Sequence, residues 1–304
     1  MRWLKKNLST ILLGFAFFLG LALVLYPSVS DYWNSFHQSR AIMQYATDVA
    51  NLNSSEYDRI FESAYSYNRL IASQGIHWRL TDEEREVYHE ELNYTGSGIM
   101  GYISIEKIHV MLPLYHGTSD AVLQTSVGHL EGSSLPVGTG SWNSYAARTG
   151  SGVTDPNDGA HCSLSGHRGL PSAKLFTDLD RLVLGDVFTI NILDKTLTYE
   201  VDQIRVVEPT NLSDLALEPG TDYCTLITCT PYGINTHRLL VRGHRVNNIQ
   251  GDVRVVADAL QIEPIYIAPL VATPILILLV IVTVIFTDRE KRHRAAHNRR
   301  TDWL

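Results

Sequence analysis

Cysteine is scarce in this chain. Three residues in 304 cannot build a disulfide scaffold. Cys162, Cys224 and Cys229 lack zinc-site spacing, and no Cys-x-x-Cys or His-Glu-x-x-His occurs. Walker and Rossmann glycine patterns are missing too, and a metal site is poorly supported. There is no basic surplus: the net charge of −7 argues against nucleic-acid binding. Nor is apolar content low. At 45% hydrophobic and 19% charged, the chain is neither disordered nor of low complexity. No internal repeat is visible.

Charge is lacking altogether in two stretches, Asn7–Ser30 and Pro264–Thr287. A bilayer core needs about 20 apolar residues in a helix, and both stretches qualify. Pro269 and Pro274 interrupt the second, which membrane helices tolerate. The ends carry the opposite excess. Residues 1–10 and 288–304 are each net +3, which leaves −13 for the stretch between. By the positive-inside rule both ends are cytoplasmic and residues 31–263 lie outside. A cleaved signal peptide is the competing reading of the first stretch, with Ser28-Val29-Ser30 as its small-x-small site.

The outer region divides in two. Residues 31–95 read as helical. One helix over about Asp31–Ala50 continues from the membrane, and Asn53 with Glu56 forms a capping box for a second. Tyr57, Ile60, Phe61, Ala64 and Ile71 follow at helical spacing, and Thr81-Asp82-Glu83-Glu84 starts a third helix. Beyond Gly98 the pattern turns to short strands: Tyr102–Ile105, Ile108–Leu114, Thr225–Cys229 and Leu239–Val241. Asp186–Ile192 and Thr196–Val201 read as a hairpin around Asp194-Lys195. One helix is expected from Pro171, with Leu175, Leu179 and Leu182 on one face. Residues 140–162, rich in Gly, Ser, Thr, Asn and Asp, read as a long loop. The fold class is mainly β, a closed barrel with short helices.

Three residues suggest chemistry. Cys229 ends an apolar strand just before Pro231, where a thiolate nucleophile can face a cleft. His167 stands between Gly166 and Arg168-Gly169, suited to exchange protons with a thiol and an amine. Arg238 follows Cys229 by nine residues. A turn through Gly233-Ile234-Asn235 brings it back beside the cysteine, where a guanidinium can stabilise an oxyanion. Arg242, four residues on, is the rival candidate.

Together these residues resemble a sortase. Thr225-Leu226-Ile227-Thr228-Cys229 matches the family's TLxTC signature, with the histidine upstream and the arginine downstream. Three longer runs resemble class C, the pilus-polymerising sortases of Gram-positive bacteria: His129–Gly138, Gly166–Phe176 and Cys229–Gly243. The resemblance runs from about Gly98 to Arg245 and implies a sortase-type β-barrel. It also implies an extracellular cysteine transpeptidase. Cys229 would cleave an LPxTG-like signal between Thr and Gly through a thioacyl intermediate. His167 would move the protons, and Arg238 would hold the signal and the oxyanion. The partners implied are pilin or surface-protein substrates, with a pilin lysine or a cell-wall amine as acceptor. The competing activities are attachment to peptidoglycan, hydrolysis by a cysteine protease, and an inactive binding module.

The resulting organisation is a cytoplasmic N-terminus (1–10), a transmembrane helix or signal anchor (11–30) and an extracellular helical region (31–95). The catalytic barrel (96–247), a linker (248–264), a second transmembrane helix (265–287) and a basic cytoplasmic tail (288–304) follow. Three features depart from class C. The family's Asp-Pro-aromatic lid is missing, since residues 71–95 contain no proline, and Trp78 is the candidate substitute plug. The 140–162 loop is long, and Glu106 stands where the family often has proline. Cys162 and Cys224 lie five residues before His167 and Cys229 respectively. If the two strands run side by side, equal offsets bring these cysteines together, either bridged or as two buried thiols.

Overall fold

The uncharged N-terminal stretch and the more polar segment after it form one helix, α1 (Arg2–Ala50). The computed structural model describes residues 2–140 and 158–248, with side chains from Leu12. From Leu12 onward α1 is long and apolar enough to cross a membrane, and its most apolar window is unburied. The second apolar stretch, the basic tail and most of the 140–162 loop lie outside the described residues.

The C-terminal half of α1 docks onto a barrel. Tyr45 is buried, and its hydroxyl donates to Met100 O at 2.8 Å and accepts from Leu193 N at 2.8 Å. Helix α2 (Ser54–Gln74) starts at the expected Asn53–Glu56 capping box and buries Phe61, Ala64, Tyr67 and Ile71. Asn68 on the same face makes three hydrogen bonds to the Leu135 and Gly138 backbone. Helix α3 (Asp82–Glu90) starts at a second capping box, Thr81–Glu84. It buries Tyr88, whose hydroxyl reaches His129 Nδ1 at 3.0 Å.

Eight strands close the barrel: β1 (Ile99–Ile105), β2 (Val110–His116), β3 (Val127–His129), β4 (Ala160–Ser165), β5 (Val187–Ile192), β6 (Lys195–Val207), β7 (Asp222–Thr230) and β8 (His237–Val246). Their order around it is β1-β2-β3-β4-β7-β8-β6-β5, and closure removes every free sheet edge. β5 and β6 form the expected hairpin. Alternate side chains fill the interior, among them Ile103, Leu114, Leu164, Phe188, Tyr199 and Leu226.

Two expectations are corrected. No α-helix starts at Pro171. Residues 171–178 are mostly turn, followed by a single 3-10 turn at Leu179–Arg181. The three leucines are buried as expected, but Leu175 has φ 40°, which a right-handed helix does not allow. The 140–162 loop also ends early, because Ala160, His161 and Cys162 already belong to β4. That segment reads as polar, yet it lies buried between β3 and β7. His161 satisfies both ring nitrogens there, on Ala216 O at 2.7 Å and Thr225 Oγ1 at 2.8 Å.

Candidate active site

Strands β4 and β7 run parallel in strict register, with Ser165 opposite Ile227 and Cys162 opposite Cys224. His167 and Cys229 each lie two residues beyond the Ser165–Ile227 pair, so equal offsets carry both to one rim of the barrel. The backbone before His167 is fixed to β7 from both sides. Gly166 N donates to Ile227 O at 3.0 Å, and Thr228 Oγ1 donates to Gly166 O at 2.7 Å. Only glycine fits at 166, where a Cβ would meet the Phe176 ring at 2.6 Å. Phe176 N donates to His167 O at 3.1 Å. The imidazole is half-buried, as is the Cys229 side chain.

Arg238 arrives from the other side. The β7–β8 turn closes with Ile234 N and Asn235 N donating to Pro231 O at 3.1 and 2.9 Å. Asn235 takes φ 60°. The ladder then pairs Cys229 directly with Arg238. Arg238 Nη1 donates to the carbonyls of Asn235 and His237 at 3.4 and 3.2 Å. Its rival Arg242 pairs instead with Thr225, two cross-strand steps away on the same face. There Arg242 is held by Asp202 through two hydrogen bonds of 3.0 and 2.9 Å and lies 4.1 Å over the Tyr223 ring. That guanidinium is already committed. Among the described residues no cluster of three His, Cys, Asp or Glu could hold a metal.

Arg168 was not singled out by sequence, and the structure places it between the segments that carry His167 and Cys229. Its side chain is 9% exposed. Nη1 donates to Thr230 Oγ1 at 3.3 Å, and Nη2 pairs with Asp180. The guanidinium also lies 5.9 Å from the centre of the Tyr232 ring, while buried Nε has no hydrogen-bond partner. Arg168 therefore ties the residue after His167 to the residue after Cys229. Asp180 is 12 positions away in sequence, so spacing gave no sign of the pair.

Trp78 lies in the link between α2 and α3. It is half-buried and packs against a cluster of Leu215, Ile227 and Leu240. Ile227 precedes Cys229 by one strand repeat, about 6.7 Å. The buried thiols Cys162 and Cys224 are free and within hydrogen-bonding reach of each other. Burial pushes the Cys224 thiol well up, and the neighbouring sulfur adds to the shift.

The model of the Sortase domain matches residues 103–246. Sortase C1 from Streptococcus agalactiae is 52% identical, with a TM-score of 0.62 over 69% of this chain and 100% of that one. The chain belongs to the sortase family. Its class C character is supported by a second structure, sortase C-1 from Actinomyces oris. That one is 40% identical, with a TM-score of 0.53 over 63% of this chain and 99% of that one. Sortase D of Bacillus subtilis is 26% identical over 149 residues, 48% of this chain and 63% of that sortase. Sortases are cysteine transpeptidases, and the rim described above carries this chain's half-buried thiol, Cys229.

Proposed function

We propose that the protein is a membrane-anchored class C sortase whose barrel lies on the outer face of the cell membrane, with Cys229, His167 and Arg238 as its catalytic set. The observation that carries this reading is the Cys229–Arg238 cross-strand pair beside a His167 loop tied to the same strand. The anchor is the apolar part of α1, and the stretch at 265–287 is the second span. Residues 31–95 form the outer helical region and 248–264 the linker.

The Cys229 thiolate attacks the Thr carbonyl of an LPxTG-like signal. Arg238 holds the resulting oxyanion. His167 donates a proton to the glycine amine as the Thr–Gly bond breaks, leaving a thioacyl enzyme. A pilin lysine amine then attacks the thioester, and His167 takes its proton. The C–S bond breaks, the thiolate is restored, and an isopeptide bond joins the two subunits. No cofactor enters. Trp78 stands at the lid position.

The full chain in lipid vesicles tests the reading, given an LPxTG-like peptide with a pilin lysine peptide, with a peptidoglycan-type amine, or with neither. An isopeptide product with the pilin lysine is the expected result. Product with the wall amine alone would make this a cell-wall-attaching sortase. Release by water in every arm would indicate a protease, and an unchanged peptide a binding module.

A further inference from the structure

We propose that the barrel rim carrying Cys229 faces the bilayer and rests its apolar loop tips in the headgroup layer. The proposal rests on the reading of α1 as a membrane anchor and adds an orientation to it. The direction of α1 along the barrel carries the argument. Asp31 accepts from Lys174 N at 2.7 Å, and Asn34 donates to Ser172 O at 2.8 Å. This segment belongs to the Cys229 rim: Lys174 Nζ reaches Ile108 O at 3.1 Å, at the turn between β1 and β2, and Phe176 is bonded to His167. Tyr45 contacts Met100 and Leu193 at the opposite rim, where β1 starts and the β5–β6 hairpin turns. From residue 31 to residue 45 a helix rises about 21 Å. A seven-residue strand is about 23 Å long. The helix thus runs the height of the barrel, and its membrane-spanning part leaves from the Cys229 rim.

A second observation, independent of the helix, agrees. Among the described residues, exposed large apolar side chains at the barrel ends concentrate on the Cys229 rim. Leu184 (64% exposed) and Val183 occupy the turn before β5, and Ile234 (68%) and Tyr232 the β7–β8 turn. Val206 lies at the same end of β6, level with Leu239. At the opposite rim the comparable residue is Tyr94, at 43%. The two apolar turns lie along the β7-β8-β6-β5 arc of the rim with Val206 between them, and α1, docked on the neighbouring β1 and β2, carries the apolar edge further round. α1 supplies Tyr32, Trp33 and Phe36, all exposed, at the level where it meets the barrel. Aromatic side chains favour the membrane–water interface, and exposed apolar groups gain by burial at the headgroup boundary, as the apolar face of an interfacial helix does.

Most cations of this rim are already held in ion pairs, Arg238 excepted. Lys107 is paired with Asp186 at 2.7 Å, and Lys174 and Arg181 share Asp178 at 3.0 and 3.3 Å. Apolar burial is the attraction, so the orientation holds on zwitterionic as well as anionic lipid. The thiol then works at the bilayer surface, on peptide chains whose signal lies close to lipid.

The test uses the full Cys229→Ala chain in phosphatidylcholine vesicles and in phosphatidylglycerol vesicles. A nitroxide is attached at Leu184→Cys, Ile234→Cys, Tyr94→Cys or Leu19→Cys, and its accessibility to oxygen and to a water-soluble nickel chelate is read. Oxygen-rich, nickel-poor environments at Leu184 and Ile234 in both lipids, with Tyr94 aqueous and Leu19 deep, are expected. Aqueous labels at Leu184 and Ile234 with Leu19 still deep would overturn the orientation and leave the anchor standing. An aqueous Leu19 would overturn the anchor and the orientation with it. Labels at Leu184 and Ile234 that lose nickel contact only when an LPxTG-like peptide is added would assign the tips to the peptide, against the proposal.

Discussion

Cys229 and Arg238 are direct partners across the β7–β8 ladder, on neighbouring strands joined by a six-residue turn over Pro231–Thr236. A guanidinium so placed can meet charge that develops on a carbonyl attacked by the thiol. Arg238→Lys keeps the charge but loses the planar fork. A fall in turnover on the order of 10²–10³-fold is expected, the cost of losing an oxyanion donor. Steady-state assay with an LPxTG-like peptide checks it, and near-normal turnover would assign the oxyanion to another donor.

Arg168 is expected to act as a positioning residue. It ties the segment after His167 to Thr230, after Cys229, and Asp180 holds it in place. Arg168→Lys cannot make both bonds and should lower kcat on the order of 100-fold, since small displacements of reacting groups carry costs of that size. KM should change little, and Asp180→Asn should move kcat in the same direction by less. A change confined to KM would mean that Arg168 binds the peptide instead.

Acid stability should depend on His161. Burial first, and Arg242 as a lesser cause, depress its pKa from 6.5 to about 4. The unfolded chain therefore takes up the proton before the folded one. The contribution of His161 is complete above pH 6.5 and is lost as pH falls towards 4, on the order of 3 kcal/mol in all. Asp222 opposes it. Burial raises its pKa to about 6, so its contribution is present below pH 4 and lost as pH rises through 6. Urea unfolding of His161→Gln and of the parent between pH 4 and 7 separates the two. The parent-minus-variant stability difference should shrink as pH falls, and a difference independent of pH would refute the assignment.

Trp78 packs on Ile227 and Leu240, one strand repeat short of the half-exposed Cys229. With no Asp-Pro-aromatic lid in residues 71–95, the thiol is expected to be open. A bulky thiol reagent should label it quickly in the parent, and Trp78→Ala should change the rate less than about twofold. Slow labelling that this variant strongly accelerates would make Trp78 the plug.

Local signals carried most of what sequence could reveal. Asn53 with Glu56 and Thr81 with Glu84 mark helix starts because each cap is complete within four residues. The site rim was legible through short runs around His167 and Cys229, whose equal offsets from Cys162 and Cys224 anticipate the parallel register. What failed depended on distant partners. Leu175, Leu179 and Leu182 recur as in a helix, but burial can select the same spacing in a chain of turns. β4 was partly hidden because His161 and Ser163 are polar: a tertiary hydrogen bond to Thr225 Oγ1 makes the burial of His161 possible, while Ser163 is held through its backbone N–H, which donates to Ser133 Oγ, and its own buried Oγ is left without a partner. β3, with three residues, is too short to show a period.

Intact-mass analysis of the enzyme mixed with an LPxTG-like peptide, quenched in acid before an amine is added, tests the central claim most directly. The account predicts an adduct equal to the peptide up to its Thr residue, mapped to Cys229. It should vanish in Cys229→Ala and be released as an amide when a lysine amine is supplied. Peptide cleaved at Thr–Gly by Cys229→Ala, or an adduct mapped to Cys162 or Cys224, would contradict it.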